Sequence, residues 1–172
     1  MADSRSKARQ QWYPVYTHSK SEKKAYQELL NKGIEAYLPL HRQMKQWSDR
    51  KKWVEEPLIK SYVFVHIHQH QQTEVLMTNG IARFLYFSGK IASMPDRQIE
   101  ELKLVLASAY EIEITEDELQ PGEKIIIKAG SLKGMRGEII KYHSQKQLLL
   151  RLGDIKYNII VHVPASLIER IQ

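Results

Sequence analysis

Past residue 120 the chain breaks into four short β-rich runs, 123–128, 138–142, 147–152 and 158–163, with Gly130, Gly134, Gly137, Gly153 and Asp154 in the connections. No other feature constrains the fold as much. The runs are too short for stable helices, and glycine supplies backbone angles that tight turns need and other residues avoid. Short strands joined this closely predict a small antiparallel barrel over 121–172, large enough for five strands around a limited core. The segments 125–127 and 148–150 favour strand or are neutral, so the region is expected to rest as a barrel.

The preceding residues read differently. Residues 1–10 have no hydrophobic period and are expected to be a disordered leader. Trp12, Tyr13, Pro14, Val15 and Tyr16 predict a strand, and Pro14 favours an edge position for it. Ser19 or Ser21 caps a helix carrying Glu22 in its first turn and Ala25, Leu29 and Leu30 at helical spacing, until Asn31-Lys32-Gly33 stops it. Strands follow at 34–40, ending at Pro39, and at 62–67, separated by a long polar stretch, 43–57. Ile99, Leu102, Val105 and Leu106 then mark a helix after Pro95-Asp96 that closes the first unit. The order is that of an α+β fold. The acidic stretch 111–120 lacks a core period and reads as a linker. It divides a domain at 11–110 from the barrel at 121–172.

Charge narrows the partners. The 172 residues carry a net charge of +6, and residues 1–60 hold 13 Lys and Arg against 7 Asp and Glu, whereas the remainder holds 13 of each. A basic region so concentrated is the footprint of a nucleic-acid partner, although an acidic protein or a membrane surface attracts it by the same field, and a solvated face is the plain alternative. There is no cysteine, which excludes disulfides, a thiolate nucleophile and cysteine-ligated metal. No apolar run has the length to span a bilayer, and the first ten residues are polar where a signal peptide is hydrophobic. A soluble, cytoplasmic protein without a membrane partner is expected.

The segment Lys128-Ala129-Gly130-Ser131-Leu132-Lys133-Gly134-Met135-Arg136-Gly137-Glu138-Ile139-Ile140 resembles a KOW motif, with Lys128, Gly130, Gly134 and Gly137 at its key positions. Alone it implies an SH3-like barrel, with ribosomal and RNA-binding roles open. Further upstream, Trp12-Tyr13-Pro14-Val15-Tyr16 resembles the opening of the NusG N-terminal (NGN) domain. Ile59-Lys60-Ser61-Tyr62-Val63-Phe64-Val65 is similar to that domain's Phe-Pro-Gly-Tyr-Val strand, with Lys60-Ser61 where the family has Pro-Gly. Asn79-Gly80-Ile81 and Met94-Pro95-Asp96 match the turn before its last strand and the proline before its final helix. Together these matches resemble the NusG superfamily from Trp12 to Ile171. The segment 46–58 is similar to the specialised paralogues of the UpxY and RfaH type, which antiterminate transcription of operons such as those for surface polysaccharides.

The resemblance implies RNA polymerase as partner, bound at its clamp helices by an apolar aromatic patch: Tyr16, Tyr62, Phe64 and Phe87. From the residues alone, Tyr62 and Phe64 share one strand face and Val63 and Val65 the other, and core aromatics are the ordinary alternative. His18, Lys20 and Lys24 lie at the start of the first helix, where backbone donors and the helix dipole favour phosphate. In the resembling paralogues this region touches non-template DNA in the transcription bubble. Arg50, Lys51 and Lys52, with Arg42 and Lys45, interleave with Trp47 and Trp53 in a candidate hairpin turning at Ser48-Asp49. These rings either stack on unpaired bases or pair across the hairpin. His66, His68 and His70 alternate as a zinc site would need, yet a polar strand end leading into a loop at 69–73 explains them as well. Glu55-Glu56 and Glu100-Glu101 do not face one another across a site, so no acid/base pair is expected, and neither is an enzyme, a metal or a cofactor. The KOW unit implies a ribosomal protein or Rho as a further partner. The rival reading is a ribosome-associated or RNA-binding KOW protein.

Overall fold

A computed structural model describes residues 9–142, 145–151, 155 and 157–172. Most of the expected leader, and the turn at Gly153 and Asp154, lie outside the described residues. The chain divides into two compact units, Met1–Asp96 and Arg97–Gln172.

The first unit runs β1 (Gln11–Thr17), α1 (Glu22–Asn31), β2 (Glu35–Tyr37), β3 (Leu40–Gln46), β4 (Lys51–Pro57), β5 (Tyr62–Ile67), a 3-10 turn (Gln69–Gln71), α2 (Gln72–Leu76), β6 (Ile81–Phe84), β7 (Tyr86–Phe87) and β8 (Lys90–Ile91). Its main sheet has the order β2-β5-β1-β6 with every pair antiparallel. Tyr13, Val15, Val63, Val65 and Ile67 point to one face and pack with Ala25 and Leu29 of α1 and with Ile34, Val75 and Phe84. Their opposite-facing neighbours Trp12, Pro14, Tyr62 and Phe64 are buried as well. Burial on both faces explains why β1 and β5 read as nearly unbroken apolar runs instead of alternating ones.

Several expectations need correction. Pro14 is not on an edge strand, for β1 lies between β5 and β6. The proline is tolerated because the ladder has ended beside it. Its carbonyl accepts from Leu85 N–H just past the end of β6, and the Leu85 carbonyl that an N–H at position 14 would reach instead accepts from Ala92. The helix starts at Glu22 with Ser21 as its N-cap residue, as one of the two serine expectations had it, but Ser21 makes no side-chain capping bond and its hydroxyl donates to the Ser19 carbonyl. The strand expected at 34–40 stops at Tyr37. Pro39 turns the chain, its carbonyl takes the Leu58 N–H, and Leu40 opens the hairpin β3–β4, a separate two-stranded sheet. The polar loop expected at 69–73 is the 3-10 turn and α2, which is short and held by buried Val75.

The second unit comprises α3 (Asp96–Ala107), β9 (Ile112–Thr115), β10 (Glu123–Ile127), β11 (Arg136–Tyr142), β12 (Gln145–Arg151), β13 (Asn158–Val161) and β14 (Ile168–Arg170). Its six-stranded antiparallel sheet has the order β14-β10-β11-β12-β13-β9. The stretch read as a linker therefore contributes a strand. Ile112 and Ile114 alternate with glutamates, and β9 pairs with β13 from Ile112↔Val161 to Thr115↔Asn158. This is a period of two that a search for helical spacing passes over. The division between units falls at the start of α3, between Asp96 and Arg97. Leu119, on the connection from β9 to β10, packs on Ile140, Leu149 and Ile160.

Candidate functional site

The first candidate surface is the aromatic row across β5, β1 and β6. Register places Tyr62 opposite Tyr16 and Tyr16 opposite Arg83, and the three side chains are in contact, the two rings tilted at 43° and the guanidinium over the Tyr16 ring. The Tyr16 and Tyr62 ring centroids are 4.6 Å apart, and the Arg83 guanidinium lies 4.4 Å from the Tyr16 centroid. Arg83 is exposed and Tyr16 half-buried. The expected docking patch, however, is not presented as a surface: Tyr62 is 3% exposed and Phe64 0%, while Phe87 is 59% exposed. Phe87 sits on the small β7–β8 hairpin beside Tyr86, in a separate sheet from β1 and β5, which carry the other members of the patch. The four aromatics thus divide into two core residues, one half-buried and one exposed. Arg83 was not legible in the sequence, because its stacking on Tyr16 depends on the pairing of β1 with β6, two strands far apart in the chain.

The second surface is a groove of about 650 Å³ between the start of α1 and the base of the β3–β4 hairpin, lined among others by Lys20, Lys23, Lys45, Lys60, Glu22 and Glu56. Lys20 is exposed at its mouth with φ 58°, and His18 and Lys24 are exposed close by in the chain. The positive charge here is largely answered. Lys45 pairs with Glu56 and holds its carboxyl below the ordinary carboxylate range, and Lys23 Nζ donates to the Glu55 carbonyl at 2.7 Å. Glu22, buried in the first turn of α1, already places a carboxylate at the helix N-terminus and accepts the Ser61 N–H at 2.8 Å. The dipole expected to favour phosphate therefore meets an internal anion first.

The third surface is the hairpin itself. Its register runs from Leu40↔Pro57 to Gln46↔Lys51, and Trp47 N–H closes the turn on the Arg50 carbonyl at 2.7 Å. The two tryptophans do not pair across it, which corrects that alternative: Trp53 stands opposite Met44, and Trp47 sits in the turn. Strand alternation also separates the consecutive cations. Lys51 shares a face with Met44 and Trp53, whereas Lys52 shares the other with Lys45, and Arg50 lies at the tip. Arg50, Lys51 and Lys52 are all exposed.

The histidine run leaves the strand at Ile67. His66 stacks on Trp12 with centroids 4.8 Å apart and its Nδ1 lies 2.6 Å from Glu35 Oε2, while His68 stacks on His70 past the strand end. Among the described residues, no three His, Cys, Asp or Glu side chains are grouped to hold a metal, and no helix is long and apolar enough to cross a membrane. In the second unit, Lys128 N–H donates to the Leu167 carbonyl just after β10, and Gly130 and Gly134 adopt φ 84° and 87° in the turn to β11. Gly137 lies on β11 where a Cβ would come within 2.6 Å of Leu148 Cδ1. Only glycine fits there without displacing that leucine.

Residues 10–103 match the family model for NusG, described as a transcription termination factor, and this match spans more than half of the chain. The chain belongs to the NusG family. That membership places it among non-enzymatic transcription factors of elongation and termination. Among solved structures, the NusG of Thermotoga maritima, determined for its domain interaction, is 20% identical over 95% of this chain and 98% of that chain, with a TM-score of 0.54. The two share a fold. The MjSpt4:Spt5 complex in its conformation A is 17% identical over 93% of this chain and 97% of that chain, but at a TM-score of 0.30 it is too different in three dimensions to inform this one.

Proposed function

We propose that this chain is a specialised NusG-family antiterminator of the UpxY or RfaH type, which binds RNA polymerase at the clamp and suppresses pausing or termination on a particular class of operon, such as one for surface polysaccharides. The family match over residues 10–103 carries the proposal. Polymerase contact falls to the accessible parts of the aromatic set: half-buried Tyr16 with exposed Arg83 stacked on it, and exposed Phe87 beside Tyr86. Buried Tyr62 packs beside Tyr16 on the neighbouring strand, with buried Phe64 two residues further along it. An aromatic edge rimmed by a guanidinium suits a protein interface, because it buries a large area at small entropic cost and keeps a polar border. Non-template DNA is met by His18, Lys20 and Lys24, with Arg50, Lys51 and Lys52 as a second set on the hairpin. The second unit acts as a KOW barrel of SH3 type, its motif carried by Lys128, Gly130, Gly134 and Gly137, and recruits a ribosomal protein or Rho. The domain division in this reading is 11–110 for the NGN domain and 121–172 for the KOW barrel, with β9 from the intervening stretch added to the barrel's sheet.

Such a factor does no chemistry. It biases the equilibrium between paused and elongating polymerase by binding one state more tightly, and a difference of about 1.4 kcal/mol shifts that ratio tenfold. The test is transcription in vitro on templates carrying a pause and a terminator, with the full chain added to cognate polymerase. Increased read-through or shortened pausing on at least one template is expected. Unchanged elongation and termination on every template would overturn the proposal. The KOW-like turn favours one alternative, a ribosome-associated or RNA-binding protein, which would bind RNA without polymerase and lose that binding steeply with salt.

A further inference from the structure

One face of the β3–β4 hairpin joins Lys51, already in the proposed DNA-binding set, to an exposed tryptophan. Arg42, Met44 and Gln46 lie on it opposite Glu55, Trp53 and Lys51. Lys45, Val54 and Glu56, which project from the other face, line the groove toward α1, together with Glu55, whose backbone carbonyl accepts from Lys23 Nζ there. The Trp53 face is therefore turned away from α1, and on it Met44 and Trp53 are 46% and 53% exposed. The Arg42 guanidinium sits 5.0 Å from the Trp53 ring centroid. This stacking restrains the indole and sets a permanent positive charge at its side. Lys51 lies one cross-strand row further toward the tip, about 7 Å along the strand at two residues per row.

We infer that this face binds single-stranded nucleic acid, with an unpaired base stacked on Trp53 beside Met44 and the flanking phosphates met by Arg42 and Lys51. The ring is flat, exposed and held from one side, and the cations stand to either side of it along the strand. An acidic protein surface would use the charges but has no need of the restrained indole. A duplex would use the charges too, but its bases are already stacked and unavailable to a ring projecting from a hairpin. That the partner is nucleic acid rests on the function proposed above. The surface is a different one from that of His18, Lys20 and Lys24.

The test is fluorescence anisotropy of a labelled oligothymidine of about ten nucleotides, and of a duplex of equal length, titrated with the full chain and with the variants W53A, W53F and K20A/K24A. Thermal melts of each variant check folding. W53A is expected to weaken single-strand binding at least about fivefold, the low end of what one base–aromatic stack contributes, while W53F restores most of it. Duplex binding should be weaker than single-strand binding and insensitive to W53A. Single-strand affinity of folded W53A within about twofold of the parent would overturn the inference. If K20A/K24A lost binding in the same experiment, the α1 site would survive alone. Failure of the parent chain to bind either DNA would overturn both sites. Loss of polymerase capture by W53A with its single-strand affinity unchanged would assign the face to an acidic protein surface and overturn the inference as well.

Discussion

Ser61 stands at φ 62°, in the left-handed region, and its N–H is held by the buried carboxylate of Glu22. Where the family has Pro-Gly, this chain keeps the turn with a residue that pays a steric penalty for it, about 1 kcal/mol at the low end for an L-residue with a Cβ. Ser61→Gly is accordingly expected to raise stability by up to about 1 kcal/mol in urea denaturation, less the added entropy of the unfolded chain. The two phenylalanines expected to act together should separate cleanly. Phe64→Ala empties a fully buried position and is expected to cost about 3–5 kcal/mol, whereas Phe87→Ala should change stability by no more than about 0.5 kcal/mol and weaken polymerase capture. Stability by thermal melt alongside a polymerase pull-down distinguishes them, and a stable, folded Phe64→Ala protein would show that the side chain is not core.

At the scale of elements, the connection from β9 to β10 is strapped to the sheet by polar contacts. Arg151 Nη2 donates to the carbonyls of Leu119 and Gln120, Arg151 also pairs with Glu138, and Glu138 accepts the Gly122 N–H. Burial pushes the Glu138 carboxyl up, but the hydrogen bonds from Arg151 and Gly122 and the nearby positive charge of Arg151 and Lys124 outweigh it, so the group titrates below its ordinary 4.5. A carboxyl depressed on folding adds stability that is complete above its unfolded pKa and is lost as the pH falls through the lower folded value. Acid denaturation should therefore steepen below about pH 4.5, and Glu138→Gln should flatten that limb while lowering stability at pH 7, as read by pH-dependent chemical melts. This strap was not legible in the sequence, since it joins residues 13 to 32 apart through the tertiary fold. The strands it holds were legible, because turn chemistry and β-branched runs are local signals. β9 was missed for the opposite reason: four residues with only two apolar positions carry too little period to separate a strand from an acidic linker.

Across the whole molecule, the excess positive charge lies in residues 1–60, and its expected consequence is a salt-dependent affinity for nucleic acid that belongs to the first unit. Each lysine that contacts a phosphate should, when replaced by alanine, reduce the slope of log affinity against log salt by about 1. Lys20→Ala is expected to do so, and Lys133→Ala, in the turn of the second unit, to leave the slope unchanged; equal effects of the two would show that charge acts only in bulk. By itself the sequence determined most of the strands and turns past residue 120, where the charge is concentrated and, through four ordered motifs, which family the chain resembles. All of these are written in local residue order. Only the tertiary structure decided that both faces of β5 are buried, which strands flank Pro14, and how the cations are shared. Burial depends on what packs over a strand's second face, and strand alternation sends neighbours in sequence to opposite sides. Arg50, Lys51 and Lys52 are consecutive in the chain, yet Lys51 joins Trp53 on one face of the hairpin while Lys52 joins Lys45 on the other.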